Sequence, residues 1–177
     1  MARLTHRTAP GCTYFVTTKT WQNRAIFQVR ENAGILMRCM MEYRERGVYL
    51  LHEFVVMPNH LHLLVTPSGE TSLEKAVQFI KGGCSYRIHQ QRENKMQIWS
   101  SSFHEATIRD MEDFEGRRHS IRMNPVEAGL AARPEDWVYG SANGKVPLDS
   151  VPNRVSSGAK APFAAETRIV GAKAPTP

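Results

Sequence analysis

The chain alternates between short stretches typical of strands and longer stretches with a helical hydrophobic period. β-Branched and aromatic residues over 13–20 predict a first strand. The apolar stretch 48–57 predicts a second, buried strand, and a Pro-Asn turn separates it from a third strand over 60–66. A short fourth strand is predicted over 97–103. These stretches together predict one sheet.

Two further stretches carry apolar residues three or four positions apart and therefore predict helices. The first covers 29–46, where Leu36, Met40 and Tyr43 share one stripe. The second begins near residue 71, and its stripe consists of Leu73, Val77, Ile80, Cys84 and Ile88. The order strand–helix–strand–strand–helix with short turns predicts an α+β domain, an antiparallel sheet with helices packed on one face.

A third helix is predicted to begin at Asp110 and to end before Pro125. The reason for this end is that a residue before proline is disfavoured in helical geometry. Asn124 and Pro125 then fit the N-cap and first position of a short helix, which would stop at Gly129.

The composition changes near residue 143 and predicts two regions. A length of 177 residues suits one domain and a tail, which we place at 1–143 and 144–177. The second region is rich in Pro, Ala and Ser and has no clear period, so we expect it to be disordered. Its 5 basic against 2 acidic residues supply half of the net charge of +6. The overall charge therefore permits a polyanionic partner without arguing strongly for one.

Several classes of protein are disfavoured by the composition. No apolar stretch approaches the length that spans a bilayer, and no apolar segment follows the basic N-terminus, so we expect neither a membrane partner nor secretion. The 3 cysteines are widely spaced and fit neither a disulfide framework nor a CxxC metal site. We therefore expect a cytoplasmic protein with reduced thiols.

The third predicted strand carries the most informative residues. Side chains alternate between the faces of a strand, so His60 and His62 project from one face and Leu61 and Leu63 from the other. Two neighbouring imidazoles can hold a divalent metal ion. A half-buried strand with two solvated histidines would have the same pattern. A catalytic metal usually needs a third protein ligand as well. Residues elsewhere in the chain must therefore decide between a metal site and two solvated histidines.

Four motifs occur in an order that resembles a known family. They are Met57-Pro-Asn-His-Leu-His-Leu-Leu-Val65, Lys81-Gly82, Arg109-Asp110 and Asn124-Pro-Val-Glu-Ala-Gly-Leu130. Over residues 12 to about 142, the chain resembles the single-tyrosine transposases of the His-hydrophobe-His superfamily, most closely the branch associated with repetitive extragenic palindromes (REP).

The resemblance implies a ferredoxin-like α+β sheet and a reaction on hairpin-containing single-stranded DNA. In such transposases the paired histidines bind Mg²⁺ or Mn²⁺, and a helical tyrosine attacks the scissile phosphate and forms a covalent link for religation. His60 and His62 carry over as metal ligands, and Asn124 as a candidate third ligand. The family includes monomers and intertwined homodimers, so either state is expected here.

The nucleophile is where this chain departs from the family. In the REP branch the tyrosine lies four residues before the Asn of the Asn-Pro-Val motif, but that position holds Ser120 here. A serine is shorter by a ring, is a poorer leaving group and needs a positioned base. Tyr86, four residues before Gln90, has the spacing of the other branch and is a substitute candidate. It lies on the second helix, so a packing or surface role is the simpler interpretation.

Basic side chains on the second and third helices are candidate phosphate contacts. Alternatively, the arginines form an ordinary solvent-exposed helix face whose positive charge is partly balanced by neighbouring acidic residues. Trp21, Trp99 and Phe103 are candidates for stacking on bases, against core packing for Trp99 and Phe103. The basic candidates are Lys81, Arg87, Arg109, Arg117, Arg118 and Arg122.

Three functions remain in competition. The first is a transposase-family protein that binds hairpin-bearing single-stranded DNA and keeps a divalent-metal site. The second is a domesticated DNA-binding or regulatory protein without catalysis. The third is a metal-dependent nuclease that activates water and forms no covalent intermediate.

Overall fold

A computed structural model describes residues 11–91, 95–152, 155 and 168–171. Within these residues the chain forms three α-helices, five strands and four short 3₁₀ helices. The main elements are β1 (Tyr14–Lys19), α1 (Arg30–Glu45), β2 (Tyr49–Met57), β3 (His60–Pro67), α2 (Leu73–Gln90), β4 (Ser102–Thr107), α3 (Met111–Glu127) and β5 (Arg168–Gly171).

The strands form one antiparallel sheet in the order β2-β3-β1-β4-β5. The first four follow the chain as β1-α1-β2-β3-α2-β4, which is the ferredoxin-like arrangement. The predicted α+β fold class is therefore confirmed. Because β2 and β1 flank β3, the histidine strand lies inside the sheet and not at its edge.

One face of the sheet packs against α1 and α2. Alternate residues of the strands point into this core, including Val16, Phe54 and Leu63, all nearly inaccessible to solvent. Leu36 of α1 and Ile80 of α2 meet them from the helix side. The stripes predicted for the first two helices thus form the main core, and the period of each stripe explains which side is buried.

The opposite face packs against α3, whereas the sequence prediction placed all helices on one face. Phe114 and Ile121 of α3 lie in a second cluster with Val55 and Leu64 of the sheet. The face of β2 and β3 away from α1 and α2 also carries apolar residues, so helices on one side alone would leave Val55 and Leu64 in water. No helix of the described segments is both long and apolar enough to cross a membrane.

The predicted end of the third helix is wrong. α3 continues through Pro125, which is buried in its last turns. The bias against helix before a proline is overcome because Asn124 still accepts a hydrogen bond from the Ala128 N–H at 3.0 Å and because Ile121 packs on the sheet. The predicted stop is confirmed at Gly129, whose φ of 68° is the left-handed conformation that glycine adopts readily after a helix.

The fourth strand is also displaced from its prediction over 97–103. β4 covers Ser102–Thr107, and only an isolated bridge between Trp99 and Thr20 falls in the earlier half of that stretch. The polar residues of β4 give no strong period of their own. Pairing with β1 decides their conformation, and a single chain segment does not reveal such pairing.

Part of the predicted tail is described, and it contacts the domain. The Asp149 carboxylate forms two 2.8 Å hydrogen bonds with Arg44 of α1 and accepts another from the Leu51 N–H at 2.7 Å. β5 pairs with β4 further along. The rest of 144–177 lies outside the described residues, and the domain boundary at 143 stays a prediction.

Candidate metal centre and nucleic-acid interface

His60 and His62 lie side by side at the beginning of β3, on the face that α3 covers. Their ring centroids are 4.8 Å apart. Leu61 and Leu63 point into the opposite core and are nearly inaccessible, which fixes the orientation of the strand. The predicted alternation therefore places both imidazoles on one face, as their two-residue spacing requires.

Neighbouring oxygens hold each imidazole by its Nδ1 atom. The Nδ1 atom of His62 lies 2.8 Å from the Thr17 hydroxyl on β1, directly across the strand pair. The Nδ1 atom of His60 lies 2.7 Å from Asn59 Oδ1, and its Nε2 atom lies 3.3 Å from Asn124 Oδ1 on α3. Orientation of a ligand histidine through its second nitrogen is a common feature of metal sites.

The two contacts of His60 cannot both be hydrogen bonds when the ring is neutral. A neutral imidazole has one N–H, and both amide oxygens are acceptors. Whichever nitrogen carries the hydrogen, one contact brings two acceptors together. A cation between Nε2 and Asn124 Oδ1 would relieve this opposition.

Both histidines are poised in the neutral form that binds metal. Burial, followed by the charges of His60 and Lys19, lowers the pKa of His62 to about 3. Burial also lowers the pKa of His60, and Lys19 adds to this, while the contact with Asn124 raises it. The ring of Phe15 stacks on His62 at 5.4 Å and shields it from water. Protons therefore compete weakly for these nitrogens at neutral pH.

The donor set fits a divalent cation with open coordination positions. Two imidazoles lie side by side and an amide oxygen approaches one of them, and the described segments contain no group of three or more His, Cys, Asp and Glu that could replace them. Both imidazole nitrogen and amide oxygen are acceptable to Mn²⁺. Three protein ligands are the number expected of a site that leaves room for substrate. The assignment of His60, His62 and Asn124 as ligands stays a prediction.

Ser120 lies one helical turn before Asn124, on the same side of α3, and is exposed to solvent. Its hydroxyl would thus enter the space beside the histidines, where the resemblance places a tyrosine. The shorter side chain does not extend as far over the sheet. Its role as a nucleophile stays a prediction that this placement does not favour.

Tyr86 lies on the other side of the molecule. It belongs to α2, which covers the face of Leu61 and Leu63, so the sheet separates it from His60 and His62. It is 65% exposed. Within one chain this tyrosine cannot reach a phosphate bound at the histidines, and the arrangement favours the surface interpretation.

Two of the candidate DNA-binding arginines hold a buried carboxylate. Glu53 of β2 is inaccessible to solvent, and its Oε2 atom accepts hydrogen bonds from Nε of Arg118 at 3.0 Å and of Arg122 at 2.8 Å. The Ser141 hydroxyl donates to its other oxygen. Arg118 also pairs with Glu115 at 3.2 Å, so these two guanidinium groups meet two carboxylates and the charges balance. We name Glu53, Arg118, Arg122 and Ser141 the Glu53 cluster.

Arg109, just before α3, and Arg117, on its first half, share Asp113. Each places its Nε atom 3.4 Å from a carboxylate oxygen of Asp113. Arg117 also lies over the ring of Phe15, with its guanidinium carbon 5.0 Å from the ring centroid. Phe15 in turn stacks on His62, so a single aromatic ring links Arg117 to the imidazole pair.

Lys81 and Arg87 do not join this group. Lys81 is only 8% exposed, its Nζ atom donates to the Ser100 carbonyl at 2.6 Å, and burial lowers its pKa to about 8. Arg87 forms an ion pair with Glu42 between α1 and α2, on the far face of the sheet. One DNA strand that contacts Arg117 would not also reach the buried Lys81 or Arg87 on the far face. The DNA-binding roles of Lys81 and Arg87 therefore stay predictions without geometric support.

α3 packs mainly on β2 and β3, and beside it the same face of β1 and β4 forms a surface that could receive a DNA strand. Its wall is α3 with Arg117, Ser120 and Asn124. The register places Thr17 between His62 and His104 in one row across three strands, and these side chains form the floor. All of them are at least partly accessible. We name this surface the α3 groove.

The sequence did not reveal the position or role of several side chains. Trp99 and Phe103 are buried in the main core, so they cannot stack on bases. Glu53 was missed, although a single acid in an otherwise apolar strand was a visible signal. Thr17 and His104 could not be recognised without knowledge of strand pairing.

Comparison with known proteins agrees with this geometry. Residues 9–115 match the family model described as transposase IS200 like. The REP-associated tyrosine transposase of Escherichia coli K12 is 24% identical over 145 residues, covering 78% of this chain and 84% of that protein.

A solved structure of a REP-associated tyrosine transposase bound to a REP hairpin superposes with a TM-score of 0.67. It is 21% identical and covers 93% of this chain and 100% of its own, which shows that the fold is shared. The family match covers more than half of the chain and includes both histidines, and it confirms the resemblance read from the motifs. This chain belongs to the IS200-like transposase family.

Proposed function

We propose that this protein binds single-stranded DNA carrying a hairpin in the α3 groove and holds a divalent metal ion, Mg²⁺ or Mn²⁺, at His60, His62 and Asn124. Its relatives include a transposase captured on a REP hairpin. The observation that carries the proposal is the approach of His60 Nε2 to Asn124 Oδ1 at 3.3 Å, since it brings an amide oxygen to the imidazole pair and leaves the neutral His60 ring with one unsatisfied acceptor contact.

The residues around the ion would act on one phosphodiester. The metal, when bound, would polarise the scissile phosphate. Thr17 and Asn59 orient the two imidazoles, and Arg117 neutralises an adjacent phosphate from the groove wall. In the family pattern a tyrosine would attack from the position of Ser120. Among the described residues Ser120 has no hydrogen bond to a histidine or a carboxylate that could act as a base, and it has no aromatic ring to extend it, so we expect cleavage by covalent transfer to be lost.

DNA binding and chemistry can be separated in one experiment. Labelled hairpin oligonucleotides, the matching duplex and an unstructured strand are incubated with the protein and Mn²⁺, then divided between native and denaturing gels. We expect a mobility shift that favours the hairpin, and no covalent protein–DNA band. His60→Ala is the matched variant for the metal site, and Leu50→Ala, an exposed residue at the far end of β2, is the control for general effects.

The outcomes discriminate among the three functions. Binding without cleavage supports the domesticated protein with a retained metal site. Strand cleavage that needs Mn²⁺ and His60 but gives no covalent band supports the water-activating nuclease. Absence of a hairpin preference, or cleavage that persists in His60→Ala, contradicts the proposal.

A further inference from the structure

The loop after β1 combines exposure, backbone strain and unpaired charge beside the histidines. Residues 21–24 have the sequence Trp-Gln-Asn-Arg, and all four side chains are exposed. Trp21 is 37% exposed, although the indole ring is large and apolar. We name this segment the 21–24 loop. It lies next to Lys19, which pairs directly with His60 across the strands.

Two consecutive residues of this loop have positive φ. Gln22 and Asn23 have φ values of 53° and 55°, in the left-handed region where a residue other than glycine costs about 1 kcal/mol or more. A loop that served only as a connection would be less strained with glycine. Instead the strained positions carry two amide side chains, which can donate and accept hydrogen bonds at once.

The loop is fixed rigidly to the turn from which His60 begins. The buried Thr20 donates from its N–H to the Asn59 carbonyl at 2.9 Å, and its hydroxyl contacts the Arg24 carbonyl at 2.7 Å. The Phe27 N–H donates to the Pro58 carbonyl at 2.9 Å. Contacts on both sides therefore hold the exposed side chains at a fixed position relative to the metal-site residues.

The charges of the loop also differ from those on α3. The α3 arginines all share carboxylates, as described above. Among the residues that the structure describes, neither Lys19 nor Arg24 has an ion pair. Two free cations flanking an exposed indole and two amides match the chemistry of an unpaired nucleotide: phosphate, aromatic base and base edge.

We propose that the 21–24 loop is a recognition site for an unpaired base of the DNA strand beside the hairpin, with Trp21 stacking on the base and the amides of Gln22 and Asn23 reading its edge. This inference rests on the proposed function, because it requires the strand to lie in the α3 groove. It assigns base selection to a surface separate from the metal ligands.

Fluorescence anisotropy with three labelled DNAs tests the proposal: the hairpin alone, the hairpin with a short single-stranded flank, and the same flank made abasic. The abasic flank keeps the phosphates and removes only the bases. For the wild type we expect the intact flank to improve affinity over the abasic one by about five- to a hundredfold, the range of one stacked base.

The variants separate stacking from packing. Trp21→Phe keeps a ring and should retain most of the gain, whereas Trp21→Leu keeps apolar volume and should lose it. Gln22→Gly should leave the melting temperature unchanged or raise it, because the strain is relieved, and should reduce discrimination among flanks of different base composition. Leu50→Ala, another exposed apolar residue at the far end of the sheet, should behave as wild type.

Each result bears on the inference. A flank gain that persists in Trp21→Leu, or a wild type that binds intact and abasic flanks equally, overturns it while leaving hairpin binding intact. Discrimination that survives in Gln22→Gly overturns the role of the amides. A wild type that binds none of the three DNAs overturns the proposed function and this inference with it.

Discussion

His60 Nε2 and Asn124 Oδ1 face each other at 3.3 Å across the junction of β3 and α3. The two residues are far apart in sequence, and their meeting joins the histidine motif to the Asn-Pro-Val motif. Because His60 Nδ1 already contacts another amide oxygen, the neutral ring cannot satisfy both partners. This relationship makes the side chain at 124 the most sensitive probe of metal binding.

Changing Asn124 should therefore change metal affinity in opposite directions. Asn124→Asp adds a negative charge at the same distance and should bind Mn²⁺ about tenfold more tightly. Asn124→Leu keeps the volume without the oxygen and should weaken binding by a similar factor. Calorimetric titration of the purified protein with Mn²⁺ measures both. Equal affinities in wild type and Asn124→Leu would remove Asn124 from the ligand set.

The two faces of the sheet should contribute differently to DNA affinity. Arg117 lies in the α3 groove, whereas Arg87 lies on the far face with Glu42. Arg117→Gln should reduce the slope of log affinity against log salt concentration by roughly one, because one fewer phosphate is neutralised. Arg87→Gln should leave the slope unchanged. A reversed pattern would place the DNA on the α2 side.

The Glu53 cluster should be a structural requirement for α3. Glu53→Gln removes the buried charge that both Arg118 and Arg122 bind, and we expect a loss of about 1 to 3 kcal/mol in the free energy of unfolding. Arg122→Met leaves Arg118 in place and should cost less. Urea denaturation compares the two variants. If Arg122→Met costs more than Glu53→Gln, the carboxylate is not the centre of the cluster.

Local periods were sufficient to predict the main parts of the site. The two-residue period of a strand places His60 and His62 on one face, and the helical period places Ser120 beside Asn124. Neither prediction needs knowledge of distant residues, because each depends on backbone geometry alone.

The remaining parts depend on long-range packing. A β-bulge between Leu51 and Glu53 shifts the alternation of β2, so Glu53 faces α3, where a strict two-residue period would turn it with Leu51 into the main core. The separation of Tyr86 from the histidines depends on which face each helix covers, and the sequence prediction assigned one face to all of them.

The buried His52 should make stability sensitive to acid. Its Nε2 atom lies 2.9 Å from the Thr66 hydroxyl and its Nδ1 atom 3.2 Å from the Asp149 carbonyl. Burial lowers its pKa, while the backbone and the carboxylate of Asp149, the charged group facing it, act in the opposite direction. The unfolded histidine takes up a proton near pH 6.5, and the folded one does so only at lower pH.

Stability should consequently fall as the pH drops below about 6.5, by at most about 1.4 kcal/mol per pH unit for this residue until its folded pKa is reached. His52→Gln removes the titrating group and should reduce the slope, which chemical denaturation at a series of pH values measures. His60 and His62 have pKa shifts of the same sign, so a residual slope is expected. An unchanged slope in His52→Gln would contradict this origin.

We propose that the metal site of the family persists here although position 120 holds a serine in place of the tyrosine. The most direct measurement is a denaturing gel of Ser120→Tyr and wild type after incubation with labelled hairpin DNA and Mn²⁺. We predict a covalent protein–DNA band for Ser120→Tyr, its loss when His60→Ala is added, and no such band for wild type. A covalent band from wild type, or none from a Ser120→Tyr variant that binds both DNA and Mn²⁺, would contradict the account.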